Sequence, residues 1–305
     1  MTDQLTADAA GAPTQHVGAG ILSRVAAMVC MATMFALVKW VSLRGVPVFE
    51  TLFFRSVFGF LPLAVYIVRA GGMSVMRTTR PVGHLVRAAI GLLGVVGGYM
   101  AVAHLPLTEA TALQFSAPLF MTALSALILR EHVGRHRWAA VAIGFIGVMI
   151  MVRPEPTHMA NIGTAFALIG AVGSAGAMIA IRQISRTEPG PRIVFYFTVT
   201  GMVVGLASAP FGWVKPDPLT LAALVGAGLA GAFGQLLLTQ ALRLAPVAVV
   251  APFDYTQLLW AGLIAFFAWG EVPRPAMLAG AAVVAASGLY IVYREARLRA
   301  AARGR

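Results

Sequence analysis

Two stretches decide the fold: GLLGVVGGYMAVAHLPLTEATALQFSAPLFMTALSALILRE at 91–131 and GAFGQLLLTQALRLAPVAVVAPFDYTQLLWAGLIAFFAWGE at 231–271. Gly91 and Gly94 recur as Gly231 and Gly234, Pro106 as Pro246, and Glu131 as Glu271, always 140 positions apart. Both copies are strongly apolar. The chain therefore repeats itself within sequence that has the character of membrane spans.

The flanking sequence has the same character. Of 305 residues, 59% are hydrophobic and only 11% are charged, and the mean hydropathy is +0.83. An ordinary soluble domain has more charge and less apolar content. A helix needs about 20 apolar residues to cross about 30 Å of hydrocarbon. The apolar runs predict an all-α integral membrane protein with ten transmembrane helices, near 20–42, 50–69, 82–104, 108–129, 137–152, 160–181, 192–211, 219–242, 247–269 and 275–293. A β-barrel would alternate polar and apolar residues over short segments, and these runs do not. The connections are too short for a soluble catalytic domain.

The repeat divides the chain. Residues 1–18, polar and rich in Ala, Gly and Thr, are expected to be a disordered cytoplasmic tail. The first repeat covers 19–153 with spans 1–5, the second covers 159–293 with spans 6–10, and 294–305 is a basic cytoplasmic tail. The N-terminus lacks the cationic start of a cleaved signal peptide, so the first span is expected to stay. Five spans per copy is an odd number. The second copy must then cross the membrane in the opposite sense, as an inverted-topology repeat.

The 23 Lys and Arg against 11 Asp and Glu give a net charge of +12. On the ten-span reading most of these cations fall on one side. Only Arg44, Arg153, Lys215 and Arg274 lie in the opposite loops, and Lys39 and Arg55 lie inside spans. This asymmetry predicts that both termini are cytoplasmic. The basic balance reports topology and contact with anionic lipid, not a nucleic-acid partner.

The apolar repeats also carry a resemblance. LPLTEATALQFSAPLFMTALSALILREHVGRHRWAAVAIGFIGVMIMV at 105–152, with Pro118, Glu131, Gly144 and Gly147, resembles the end of an EamA domain of the drug/metabolite transporter superfamily. APVAVVAPFDYTQLLWAGLIAFFAWGEVPRPAMLAGAAVVAASGLYIVY at 245–293, with Glu271, Gly280 and Gly288, resembles a second copy. Pro118 aligns with Leu258, and Pro252 sits six residues earlier in register, so the copies depart from one another at this break. The resemblance implies two inverted five-helix units in a bacterial inner membrane, around a central cavity for a small organic solute. FETLFFRSVFG at 49–59 resembles family members that take up S-adenosylmethionine or riboflavin. Uptake by alternating access is the expected activity, with drug or metabolite efflux as the alternative. A membrane enzyme or a non-transporting sensor is a further class. No Walker, HExxH or G-x-S-x-G motif supports an enzyme, and no catalytic residue, metal site or cofactor is predicted. The sequence leaves a homodimer open.

The repeat register selects candidate site residues. Asp254 lies about eight residues into the ninth span, where an acid is expensive unless it faces a cavity or a partner. It is the candidate proton-coupling group, and its alternative is a structural pairing with an arginine. At the same offset Asp254 falls on Gln114 and Tyr255 on Phe115; Gln235 falls on Val95 and Thr239 on Tyr99. Gln and Asp can fix a solute by hydrogen bonds, and flat rings suit a heterocyclic or apolar body. Tyr99, Gln114, Phe115, Gln235, Thr239, Asp254 and Tyr255 are therefore candidate substrate contacts between the third, fourth, eighth and ninth spans. Arg55 joins them as a candidate anion contact; its alternative is snorkelling with a local pair to Glu50. Lys39 is read as snorkelling. Glu131 and Glu271, at membrane-edge turns, are read as structural residues that cap the helices following them. Gly91, Gly94, Gly97 and Gly98, with Gly226, Gly228, Gly231 and Gly234, would allow the third and eighth spans to pack near the pseudo-twofold axis. Pro118, Pro246 and Pro252 are expected bends, and Cys30 is a packing residue.

Overall fold

The computed structural model describes residues 17–128, 134–152 and 162–303. Its helices are α1 (Val17–Leu43), α2 (Val48–Gly59), α3 (Leu61–Arg69), α4 (Pro81–His104), α5 (Leu107–Gln114), α6 (Ala117–Ile128), α7 (Arg135–Val152), α8 (Ile162–Ile184), α9 (Gly190–Ala207), α10 (Pro218–Leu244), α11 (Val247–Val250), α12 (Thr256–Trp269) and α13 (Pro275–Arg303). Among the described residues, eight segments are long and apolar enough to cross a membrane: Val17–Leu43, Val48–Arg69, Pro81–His104, Leu107–Ile128, Ile162–Ile184, Gly190–Ala207, Pro218–Leu244 and Pro275–Arg294. The expected fifth span is a shorter apolar helix, Trp138–Val152. The expected ninth is α11, a 3-10 turn at Ala251–Tyr255 and α12 in succession. The last helix passes Tyr293 and runs on to Arg303, through residues expected to be a tail.

Proline sets the breaks. Leu105 and Ala245, the residues before Pro106 and Pro246, are both extended, at φ −117°, ψ 159° and φ −148°, ψ 155°. A proline disfavours helical geometry in the residue before it, so α4 and α10 end at matched positions. The helix that restarts at Pro106 stops again at Phe115–Ser116, just before Pro118. In the second copy the break is the 3-10 turn containing Pro252. A further break divides α2 from α3, with Pro62 in the first turn of α3. Proline is tolerated there because first-turn N–H groups have no intrahelical partner.

Helices pair across the repeat boundary. α4 packs along α8, α10 along α1, α9 on α2 and α13 on α7. In each pair one helix comes from each half of the chain. Bare backbone makes the approach possible: a Cβ on Gly97 would stand 2.6 Å from the Gly170 nitrogen, and one on Gly147 would stand 2.8 Å from the Gly280 carbonyl oxygen. In the absence of a hydrophobic drive between helices in lipid, this close packing is the principal attraction. The glycines of the third and eighth spans thus serve different contacts from the one expected. Those of α4 meet α8, and Gly231 and Gly234 of α10 meet Met34, Met31 and Cys30 of α1. The third and eighth spans both contribute wall residues to a shared cavity.

One polar cluster ties the α8–α9 turn to the 3-10 turn Met73–Met76. Glu188, its side chain fully buried, accepts from Thr78 at 2.7 Å and pairs with Arg192 at 2.6 Å. Arg192 also donates to the Val75 carbonyl oxygen at 2.8 Å. Burial alone would raise the Glu188 carboxyl. The Thr78 and Arg192 hydrogen bonds and the Arg192 charge outweigh it and bring the group down to about 2.

Candidate functional site

A cavity of about 290 Å³ lies between the halves. Its walls come from α1, α2, α4, α5, α6, α8, α10 and α12, so both repeats contribute. The volume sits near the lower end of ordinary ligand pockets, roughly 300–1,000 Å³.

Five of the predicted residues line it: Arg55, Tyr99, Gln114, Phe115 and Gln235. Arg55 projects from α2, with its guanidinium carbon 6.0 Å from the centre of the Tyr99 ring. Tyr99 is 1% exposed, stands edge-on to Phe35 at 6.2 Å, and its hydroxyl has no hydrogen-bond partner. Gln114 ends α5 at the helix break. Its amide lies over bare backbone from both halves, since Cβ atoms on Gly98 and Gly170 would stand 2.8 Å and 2.7 Å from its nitrogen. Any larger residue at either glycine would evict it. Phe115 meets Tyr255, its repeat equivalent, with ring centres 4.9 Å apart.

The other candidates lie apart from the cavity wall. Thr239 turns back to donate to the Gln235 carbonyl oxygen at 2.8 Å. Tyr255 is not a wall residue, but its ring packs on Phe115, which is. Asp254 forms a two-pronged ion pair with Arg24 of α1, the second prong running from Nη2 to Oδ2 at 2.6 Å. Arg24 is 7% exposed, so the acid meets a buried arginine, the pairing weighed as the alternative to proton coupling.

Lys39 does not snorkel. Its ammonium donates to Glu271 and, at 3.1 Å, to the Leu105 carbonyl oxygen. It also sits 5.2 Å from the centre of the Trp269 ring. The second oxygen of Glu271 accepts from the Leu107 N–H at 2.9 Å. Glu271 thus caps α5 of the opposite repeat, where it was expected to cap its own following helix. The same corner holds Arg274 and Glu109, paired at 2.8 Å. Glu131, its repeat equivalent, lies outside the described residues. Glu50 is fully buried and accepts from the Val214 N–H at 3.0 Å, so it does not pair with Arg55.

Two ion pairs therefore fasten α1 to the broken ninth segment. Lys39–Glu271 does so near the C-terminal end of α1, and Arg24–Asp254 near its N-terminal end. Gln257, Ser174 and Thr111 complete the polar lining and were not predicted. The repeat register held a signal for the first: Gln257 falls on Ala117, and both line the cavity.

A multi-pass helical protein with a cavity walled by both of its halves has the build of a membrane carrier. The chain belongs to the EamA-like transporter family, which matches residues 18–153 and 161–294. It is similar to the S-adenosylmethionine uptake transporter of Rickettsia prowazekii, 28% identical over 81% of this chain and 83% of that one. The pseudopaline exporter of Pseudomonas aeruginosa strain UCBPP-PA14 is 31% identical over 87% of this chain and 93% of its own length. The riboflavin transporter of Rhizobium johnstonii is 29% identical over 97% of this chain and 98% of its own length. A solved crystal structure shares the fold, with a TM-score of 0.63 at 19% identity, over 92% of this chain and 99% of that one.

Proposed function

We propose that this chain is a secondary transporter that moves a small organic metabolite across a bacterial inner membrane by alternating access. Ten spans in two inverted five-helix repeats, with both termini cytoplasmic, would rock against each other around the cavity. The observation that carries this reading is the cavity itself, walled by both halves and lined by Arg55, Gln114, Gln235 and Gln257. The two ion pairs support it, because they tie the same two segments together near opposite ends of α1. Opening one end requires breaking one pair while the other holds.

The solute on this reading is compact, hydrogen-bonding and partly flat, of the amino-acid or nucleoside-like kind. The uptake names of the Rickettsia and Rhizobium relatives favour inward movement. Export is a second reading, favoured by the similarity to the pseudopaline exporter. Asp254 is proposed as the proton-coupling residue, with Arg24 as the cation that its protonation would release. Proteoliposomes test the proposal: radiolabelled metabolites are screened for counterflow and for uptake under a pH gradient of either sign. Saturable exchange supports a carrier, and the sign that drives accumulation gives direction. Lack of exchange for every solute would move the reading to a membrane protein that does not transport.

A further inference from the structure

We propose that the cavity is an anion site, that the solute it accepts is a carboxylate with an apolar or aromatic body, and that Arg55 holds the carboxylate. This rests on the transport reading above and replaces its amino-acid or nucleoside-like class with an anion that carries no compensating cation.

Charge in the cavity is one-sided. Arg55 is a wall residue, no Asp or Glu lines the cavity, and Arg55 has no acidic partner among the described residues. A second cation, a buried one, sits on α4. Arg87 is 9% exposed, its guanidinium carbon lies 3.9 Å from the centre of the Phe197 ring, and its Nε and Nη1 have no hydrogen-bond partner. An arginine near a helix end normally snorkels toward the nearer surface. Arg87, seven residues into α4, does the reverse. A Cβ on Gly91, one turn deeper, would stand 2.7 Å from its Nη1. Gly94, about one turn beyond, is cavity wall. A buried charge without a counter-charge is unfavourable, so an arriving anion is favoured and an arriving cation is opposed.

The remaining lining narrows the class. Ala117 and Gln257, in the first turns of α6 and α12, turn positive dipole ends toward the cavity. Met31, Met34, Phe35 and Phe115 make the rest largely apolar and aromatic. One guanidinium fork in the wall matches the two oxygens of a carboxylate. A dianion such as a phosphate would need a second cation at the wall, and Arg87 is not a wall residue. An ammonium or sulfonium on the solute would find no acid to meet it.

Binding to the full-length protein in detergent, by titration calorimetry, tests this. The probes are N-acetylphenylalanine and N-acetylleucine, their neutral amides, phenylalaninamide as the cation, and phenylphosphonate as the dianion. The acids should bind about tenfold or more tighter than their amides, the scale of a charge-assisted hydrogen bond, and the cation should not bind. Arg55→Gln should remove the preference for acid over amide, and Arg55→Lys should keep part of it. Arg87→Gln should reduce it while leaving amide affinity unchanged, a pattern that a misfolded variant cannot give. Equal binding of acid and amide, tighter binding of the cation or the phosphonate, or no binding of any acid would overturn the proposal. Counterflow of the bound probe separates the two readings. A probe that binds by charge but never exchanges refutes transport alone. Exchange without a preference for acid refutes the anion site alone.

Discussion

Glu271→Gln isolates one charge in the structure. The substitution keeps the shape of the side chain and an oxygen for the Leu107 N–H, but it removes the counter-charge of Lys39. The Lys39 side chain is 7% exposed and that of Glu271 is 20% exposed, so solvent cannot replace the lost partner. Removing one member of a buried ion pair costs about 3–5 kcal/mol. Lys39 keeps the Leu105 carbonyl oxygen and the Trp269 ring, which places the expected loss near the lower end of that range. Glu271→Ala also leaves the Leu107 N–H without an acceptor and should cost about 1–3 kcal/mol more. Lys39→Met in the Glu271→Gln background removes the orphaned charge and should recover most of the loss. The assay is a double-mutant cycle on unfolding free energy in detergent, with a coupling energy of about 2–3 kcal/mol expected. Additive single and double variants, with coupling below about 0.5 kcal/mol, would refute the reasoning.

Other outcomes follow from other contacts. Asp254→Asn should abolish accumulation driven by a pH gradient yet leave counterflow measurable, if the Arg24 pair is the coupling device; loss of both together would reduce Asp254 to a structural role. Gly97→Ala should destabilise by about 1–3 kcal/mol, the scale of overpacking, because its Cβ would meet the Gly170 nitrogen at 2.6 Å. Gly134→Ala, with nothing within 4 Å, should be neutral; equal melting temperatures for the two variants would contradict the packing account. The Glu188 carboxyl is held at about 2, against 4.5 as its ordinary value. Its contribution to stability is thus present above pH 4.5 and lost as pH falls toward 2. The melting-temperature gap between the native protein and Glu188→Gln should narrow across that window, and a gap that stayed constant would assign the effect to packing.

The repeat made the architecture legible because prolines and glycines act locally. Pro106 and Pro246 end helices wherever the chain goes, and the extended Leu105 and Ala245 follow from their neighbours alone. The same register put Phe115 opposite Tyr255, and these rings touch. Partner choice was not legible. Sequence gives the depth of a charge along its helix but not the direction in which it points. Lys39 thus read as a snorkelling residue, although its acid lies 232 residues away, and the arginine weighed as a partner for Asp254 could not be named, because Arg24 lies 230 residues from it. The alternative weighed for Arg55 included a pair with nearby Glu50, whose carboxylate instead accepts from the Val214 N–H, 164 residues on. Period alone could not tell that α4 packs on α8 and α10 on α1, because glycine-rich faces occur on α4, α8 and α10 alike, whereas α1 meets α10 through Met31, Met34 and Cys30.

The central claim, that the cavity opens to each side of the membrane in turn, is tested most directly by thiol accessibility at one wall residue. With Cys30, the single cysteine, replaced by serine, Gln235→Cys places a thiol in the cavity wall. A membrane-impermeant maleimide is then applied to oriented vesicles from either side. The account predicts labelling from both sides, with the balance shifted by a transported solute or by Lys39→Met. Labelling from one side only, under every condition, would contradict it.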